Sequence, residues 1–319
     1  MTPRISRSIS AAALSLSLVT LAACSPTGNE PEADSPSHPS TPPATTSAQA
    51  SPTRAADHAA IESELKEIED AHDARVGVHA LDTSDGTTVQ HRENERFGFA
   101  SSIKSLAVAE LLASSTPEQL DEHVTWTKED VEKAGHTPVT SEHLEEGLPL
   151  RDLAEAAVRD SDNAATNIVF DHLGGPKGFD SALEDRGDTT TEVADYEPEI
   201  NVVKEGDSRN TTTPAAFTGN LAALLEPENL SDENRESLID WMSGNASGKD
   251  LITAGAPEGW KVADKSGHAD ALRSDVAFVF PPQRDPIVIA ILTENNDPAV
   301  ESDAALIEET ARAVLDGFT

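Results

Sequence analysis

The chain of 319 residues predicts an α+β fold: an all-helical region inserted into an antiparallel-sheet domain flanked by N- and C-terminal helices. Three observations lead there. Strand-like patterns occur only towards the two ends of the folded part, at 75–92 and 260–293. The long stretch between them has helical spacing interrupted by Gly and Pro, and a helix-spaced segment stands at each extremity. Such a layout leaves a cleft between sheet and insert, a common place for a site.

The first 24 residues carry Arg4 and Arg7, an apolar stretch from Ala11 to Ala23, and then Cys24. This reads as a secretory signal, too short to span a bilayer as a permanent helix. "LAAC" at 21–24 resembles the lipobox of bacterial lipoproteins, which implies lipidation of Cys24 and a membrane-anchored protein facing the extracytoplasmic side. Cys24 is the only cysteine, so no intramolecular disulfide can form. Residues 25–56 hold seven prolines, six serines and five threonines. A segment of that composition buries no core and is expected to be a disordered tether.

The domain is expected to run from 57 to 319, with its sheet part at about 57–96 and 255–319 and its helical part at about 97–254. Residues 57–74 place Ile61, Leu65 and Ile68 at helical spacing. "RVGVHALDT" (75–83) and "TTVQHR" (87–92) flank "SDG" and predict a hairpin. From Ser101 to about Trp241 nearly every segment is helix-like, with breaks at Gly135–Pro138, Gly147–Pro149, Gly174–Pro176 and Glu197–Pro198. Strands return at "WKVADKSG" (260–267), "SDVAFVF" (274–280) and "PIVIAILT" (286–293), and a helix at 303–318 closes the chain.

The formal charge of −35 becomes −37 once Arg4 and Arg7 are removed. That argues against nucleic acid and against anionic lipid bound through surface charge. An acidic excess with only nine lysines fits either adaptation to high salt or an ordinary acidic secreted protein.

Within "RFGFASSIKSLAVAELL" (96–112), Lys104 interrupts an otherwise apolar helix one turn after Ser101. A buried ammonium is costly unless paired or put to use, although a lysine can also snorkel to solvent. S-x-x-K alone is weak, and Ser63–Lys66 repeats it on a charged helix. "SDN" (161–163), "EPEIN" (197–201) and "KSG" (265–267) are each weak as well, readable as a helix cap, a turn and a strand end. Their order and their intervals of 60, 36 and 68 residues carry more.

S-x-x-K, S-D-N and K-[ST]-G in that order mark the penicillin-recognising serine enzymes. With E-x-x-x-N between the last two, and with "TTTPAA" (211–216) and "VADKSG" in place, residues 57–319 resemble a class A β-lactamase, a β-lactamase/transpeptidase-like fold. The resemblance implies Ser101 as nucleophile, activated because a serine hydroxyl needs an adjacent base. It implies a first proton transfer to Lys104 or to Glu197 through a water, the two alternatives that the family leaves open, a relay through Ser161 to the leaving nitrogen with Lys265 nearby, and a hydrolytic water held by Glu197 and Asn201. Asn163 would bind the substrate amide. The backbone N–H groups of Ser101 and His268 would form an oxyanion hole, with Gly267 beside them. Lys265, Ser266 and Arg273 would take the substrate carboxylate, Arg273 least securely because "HADALR" is one residue short. It also implies β-lactam small molecules as the ligands, a monomer, and no cofactor.

Two departures stand out. Where many relatives have an Arg and an Asp paired across the loop of the glutamate, this chain has Asp195 and Asn210, which predicts a hydrogen bond in place of an ion pair and slower deacylation or an altered substrate range. His136 occupies the place of an aromatic at the cleft mouth, as either a substrate contact or a solvated loop residue. No H-x-H or H-E-x-x-H occurs among the ten histidines, so no metal site is expected. Two other readings compete: a D-alanyl-D-alanine peptidase or penicillin sensor that acylates and stalls, and an inactive envelope protein using its acidic surface. Glu197 and Asn201 in register favour turnover.

Overall fold

The computed structural model describes residues 52–319 except Glu205. The signal segment, Cys24 and the tether up to residue 51 lie outside the described residues. Helix α1 (Pro52–His72) starts five residues inside the expected tether, with Pro52 at its first position, where a missing N–H costs nothing.

The hairpin forms as expected from β1 (Ala74–Asp82) and β2 (Thr88–His91), turning at Gly86 with φ +76°. Three strands at the far end of the chain complete the sheet: β7 (Lys261–Ala269), β8 (Leu272–Phe280) and β9 (Ile287–Asn295). The order is β2-β1-β9-β8-β7, antiparallel throughout, so the two ends of the domain are zipped together at the β1–β9 pair.

Between β2 and β7 runs the helical insert: α2 (Lys104–Ser114), α3 (Pro117–Leu120), α4 (Lys128–Ala134), α5 (Leu150–Arg159), α6 (Asn163–His172), α7 (Pro176–Asp185), α8 (Pro214–Ala223), α9 (Asp232–Met242) and α10 (Ile252–Gly255). Its helices start at side chains suited to the task. Thr116 and Thr127 form capping boxes with Gln119 and Asp130, Asp162 caps α6, and Thr213 caps α8 ahead of Pro214. The insert also contains two short ladders that helical periodicity does not reveal: β3 (Phe97–Gly98) with β6 (Thr211–Thr212), and β4 (His123–Val124) with β5 (Leu148–Pro149). Two-residue strands are too short to show an alternating pattern.

Strand alternation divides the core into two layers. Val288, Ala290 and Leu292 of β9 and Val276 and Phe278 of β8 face the helical insert. Ile287, Ile289, Ile291, Ala277 and Val279 face α1 and the C-terminal α11 (Ala304–Asp316). A sheet buried on both faces explains why these strands read as continuous apolar runs. Gly77 keeps β1 close to the insert, since a Cβ there would meet the Phe97 ring and lie 2.8 Å from Pro214. Among the described residues no helix is long and apolar enough to cross a membrane.

Candidate active site

Ser101 stands in a 3₁₀ turn, Ala100–Ile103, that leads into α2. The turn is tied at Phe99, whose carbonyl accepts from Ser102 Oγ (2.6 Å) and from Ser274 Oγ on β8 (2.8 Å). Helix α2 is packed on almost every side and Lys104, its first residue, is fully buried. The ammonium does not snorkel. It donates to the Ser161 carbonyl (2.8 Å), Ser161 Oγ (3.3 Å) and Asn163 Oδ1 (2.6 Å), and lies 3.0 Å from Glu197 Oε1. The Ser101 hydroxyl faces the same carboxylate, 3.5 Å from Glu197 Oε1.

The SDN segment is built around Asp162, which accepts from Val139 N (3.0 Å), Thr140 N (2.9 Å) and Thr140 Oγ1 (2.9 Å) while capping Ala165 N (2.9 Å). These bonds hold Ser161 at φ +56°, a left-handed conformation that costs a non-glycine residue about 1–2 kcal/mol. The twist carries Ser161 Oγ to a point 3.1 Å from Lys265 Nζ and 3.3 Å from Lys104 Nζ, so one hydroxyl lies between two buried amines. His136 sits alongside, its carbonyl accepting from Asn163 N (2.8 Å) and its exposed ring bonded to the Asp160 carbonyl (3.2 Å).

Glu197 is fully buried and is gripped at both ends. Asn201 Nδ2 donates to Oε2 (2.6 Å), and Asn167 of α6 holds the backbone reciprocally, through Glu197 N (2.9 Å) and Glu197 O (2.9 Å). Sequence reading missed Asn167. Its signal was available: it lies four residues after Asn163, on the same helical face. The loop behind Glu197 closes through Asn210, buried at φ +58°, which donates to Asp195 Oδ2 (2.9 Å) and accepts from Ala194 N (3.0 Å) and Asp195 N (3.3 Å). The expected Asp–Asn hydrogen bond is thus present.

KSG is not a strand end. It lies within β7, which continues through His268 and Ala269. Gly267 is required there: a Cβ would lie 2.8 Å from Ser101 N and 2.7 Å from the Phe99 carbonyl. The His268 ring lies 3.5 Å from Glu301. The short "HADALR" segment resolves into a tight hairpin in which Ala269 pairs with Leu272 and His268 with Arg273. Arg273 therefore keeps a fixed place beside β7, its Nε donating to Ser302 Oγ (3.4 Å). Ser266 Oγ is 2.7 Å from Ser247 Oγ, another residue that sequence reading did not single out.

Electrostatically the site is two buried cations sharing one carboxylate. Burial pushes the Lys104 amine down and Glu197 opposes the shift. Lys265 is pushed down to about 7, by burial and then by the charge on Lys104. A hydroxyl facing a carboxylate, with an amine beside both, can undergo proton transfer without bulk water.

Comparisons with known proteins extend along the whole domain. Residues 60–318 match the model of the β-lactamase enzyme family. The chain belongs to the class A β-lactamases. A β-lactamase of Bacillus amyloliquefaciens is 44% identical over 251 residues, covering 78% of this chain and 81% of that protein. The crystal structure of a class A β-lactamase from Clostridium kluyveri DSM 555 superposes with a TM-score of 0.79 at 38% identity, covering 82% of this chain and 99% of that one. A halotolerant bacterial β-lactamase superposes with a TM-score of 0.77 at 37% identity, covering 79% and 97%.

Proposed function

We propose that this class A family member hydrolyses β-lactams through a serine acyl-enzyme, in which Glu197 is the sole base for the deacylating water and one of two bases, with Lys104, for the attacking serine. The observation that carries the reading is the placement of Glu197 Oε1 between the Ser101 hydroxyl, at 3.5 Å, and the Lys104 ammonium, at 3.0 Å. Ser101 Oγ attacks the lactam carbonyl carbon as its proton leaves towards Glu197. The carbonyl oxygen takes negative charge against the N–H groups of Ser101 and His268, a kind of stabilisation worth about 3–4 kcal/mol per donor. As the C–N bond breaks, the ring nitrogen takes the proton of Ser161; Lys104 replaces that proton and regains its own from Glu197, which becomes a carboxylate again. Water held by Glu197 and Asn201 then attacks the ester, giving its proton to Glu197, which passes it to Ser101 Oγ as the acyl–oxygen bond breaks. Lys265, Ser266 and Arg273 bind the substrate carboxylate, and Asn163 and His136 line the amide side.

Glu197 also separates this reading from a peptidase or sensor that stalls as the acyl-enzyme. In Glu197→Gln, hydrolysis of a chromogenic cephalosporin should fall about 10²–10⁴-fold. Mass spectrometry should find the acyl group held on Ser101. Unchanged turnover in this variant, or a wild-type protein that is never labelled and never turns over, would overturn the proposal.

The protein is further proposed to be exported and tethered to the membrane as a lipid-modified monomer through Cys24. Support comes from "LAAC" and the Ser/Thr/Pro-rich segment that follows it. Cys24→Ser should move the protein from the membrane fraction to the soluble one on cell fractionation; an unchanged distribution rejects the anchor. The acidic composition, together with the likeness to a halotolerant enzyme, supports salt adaptation.

A further inference from the structure

Directly behind Lys265 two carboxyl groups are buried without a cation. Asp264 on β7 and Asp275 on β8 are 2% and 0% exposed. Their strands are in register with Asp264 opposite Ala277 and Ser266 opposite Asp275, so the two aspartates are diagonal neighbours on one face of the sheet. Lys265 and Gly267, alternating with them, point to the other face, into the cleft. Gly248 lets Asp264 in, because a Cβ at that position would collide with its carboxylate. Among the described residues neither aspartate forms an ion pair.

Their hydrogen bonds differ. Asp264 accepts from Asn245 Nδ2 (3.0 Å) at one oxygen and from Thr253 Oγ1 (3.3 Å) at the other, an arrangement suited to a carboxylate. Asp275 Oδ2 accepts from Ile252 N (3.0 Å), whereas its Oδ1 is buried with no donor. A buried oxygen without a donor is expensive if it is anionic and unremarkable if it carries a proton aimed at a neighbouring carboxylate. Two adjacent carboxylates in a dry site cannot both ionise cheaply.

We propose that Asp264 and Asp275 share a single proton, carried by Asp275, and that the one negative charge left on the pair is a positioning device that keeps the Lys265 ammonium charged in the cleft. The proposal rests on the substrate-binding role given to Lys265 above. Burial followed by the charge of Asp264 raises Asp275 well above the usual carboxylate range, and burial raises Asp264 too. The titratable groups acting on the pair are each other and Lys265; those acting on Lys265 are Lys104, the two aspartates and Glu197. From the packed elements, α10 brings no titratable side chain, while Lys249–Asp250 and Glu308–Arg312 pair with each other towards solvent. A doubly ionised pair would leave two charges in the core; a neutral pair would leave Lys265 facing the charge of Lys104 with little to offset it.

The test is carbon NMR on the full chain, following the Asp carboxyl carbons and the Lys265 Cε. In the wild-type protein Asp275 should stay protonated and Asp264 ionised from pH 5 to 9. Asp275→Asn retains a donor to Asp264 and should leave the Lys265 midpoint within a few tenths of a unit. The double variant Asp264→Asn/Asp275→Asn removes the last charge and should lower that midpoint by about one unit or more. Two ionised carboxyls at pH 7, or a single variant that shifts Lys265 as far as the double one, overturns the idea; if the variants do not fold, the wild-type carboxyl signals decide alone. The alkaline limb of kcat/KM should move with the Lys265 midpoint. If the midpoint moves and the limb does not, the pair stands and the substrate role of Lys265 falls.

Discussion

At the scale of single residues, the site depends on atoms that are absent as much as on those present. Gly267 brings β7 against the backbone N–H of Ser101, where an added methyl would lie 2.8 Å away and its neighbour carbonyl 2.7 Å away. Gly267→Ala should therefore push the two oxyanion donors apart and lower kcat by about 10²–10³-fold, the cost of losing one such donor. Steady-state kinetics with a good penicillin checks this; a variant with wild-type kcat would mean that β7 gives way without harm. Ser161 makes the complementary point. Its left-handed backbone is held by the bonds of Asp162 to Val139, Thr140 and Ala165, so a strained residue is kept where its hydroxyl meets both lysines.

At the scale of elements, the segment from Ala194 to Asn210 decides how firmly Glu197 is held. Asn210 joins its two ends through three hydrogen bonds, and Asn is among the few residues that adopt a positive φ readily. Asn210→Ala should cost about 1–3 kcal/mol, because the N–H groups of Ala194 and Asp195 and the Asp195 carboxylate lose a partner. Deacylation should slow more than acylation, since the segment carries Glu197 rather than Ser101. Asn210→Asp should be worse than alanine, because it sets a second carboxylate against Asp195. Thermal melts together with time-resolved mass spectrometry of the acyl-enzyme read both effects. Equal loss in both half-reactions would argue that the loop supports the fold rather than the water.

At the scale of the whole molecule, a chain of formal charge −35 must admit an anionic substrate to a cleft holding two buried lysines. Long-range repulsion acts against encounter, and salt screens it over about 10 Å at 0.1 M and about 3 Å at 1 M. The expected outcome is a kcat/KM that rises with ionic strength from low salt, carried by the association step. A profile that is flat or falls from 10 mM upward removes this account of the acidic surface.

The amino-acid order alone determined the architecture, because strand and helix periods can be counted, and its motif order supplied, through the family resemblance, the reacting groups proposed above. Ser101, Lys104, Ser161, Glu197 and Lys265 lie 96 residues or fewer from the next group they meet, apart from Lys265, whose partner Ser161 is 104 residues away. What the tertiary structure decided is which of them touch. It set the lysine of S-x-x-K against Glu197, clamped that glutamate with Asn167, and drew the shortened β7–β8 turn into a hairpin that fixes Arg273. It also placed two buried aspartates side by side behind the cleft, which in a list of residues look like ordinary strand polar positions. The reason is physical: a residue's type limits what it can do, but whether a charge is paired, shared or stranded depends on neighbours that only the packed chain supplies.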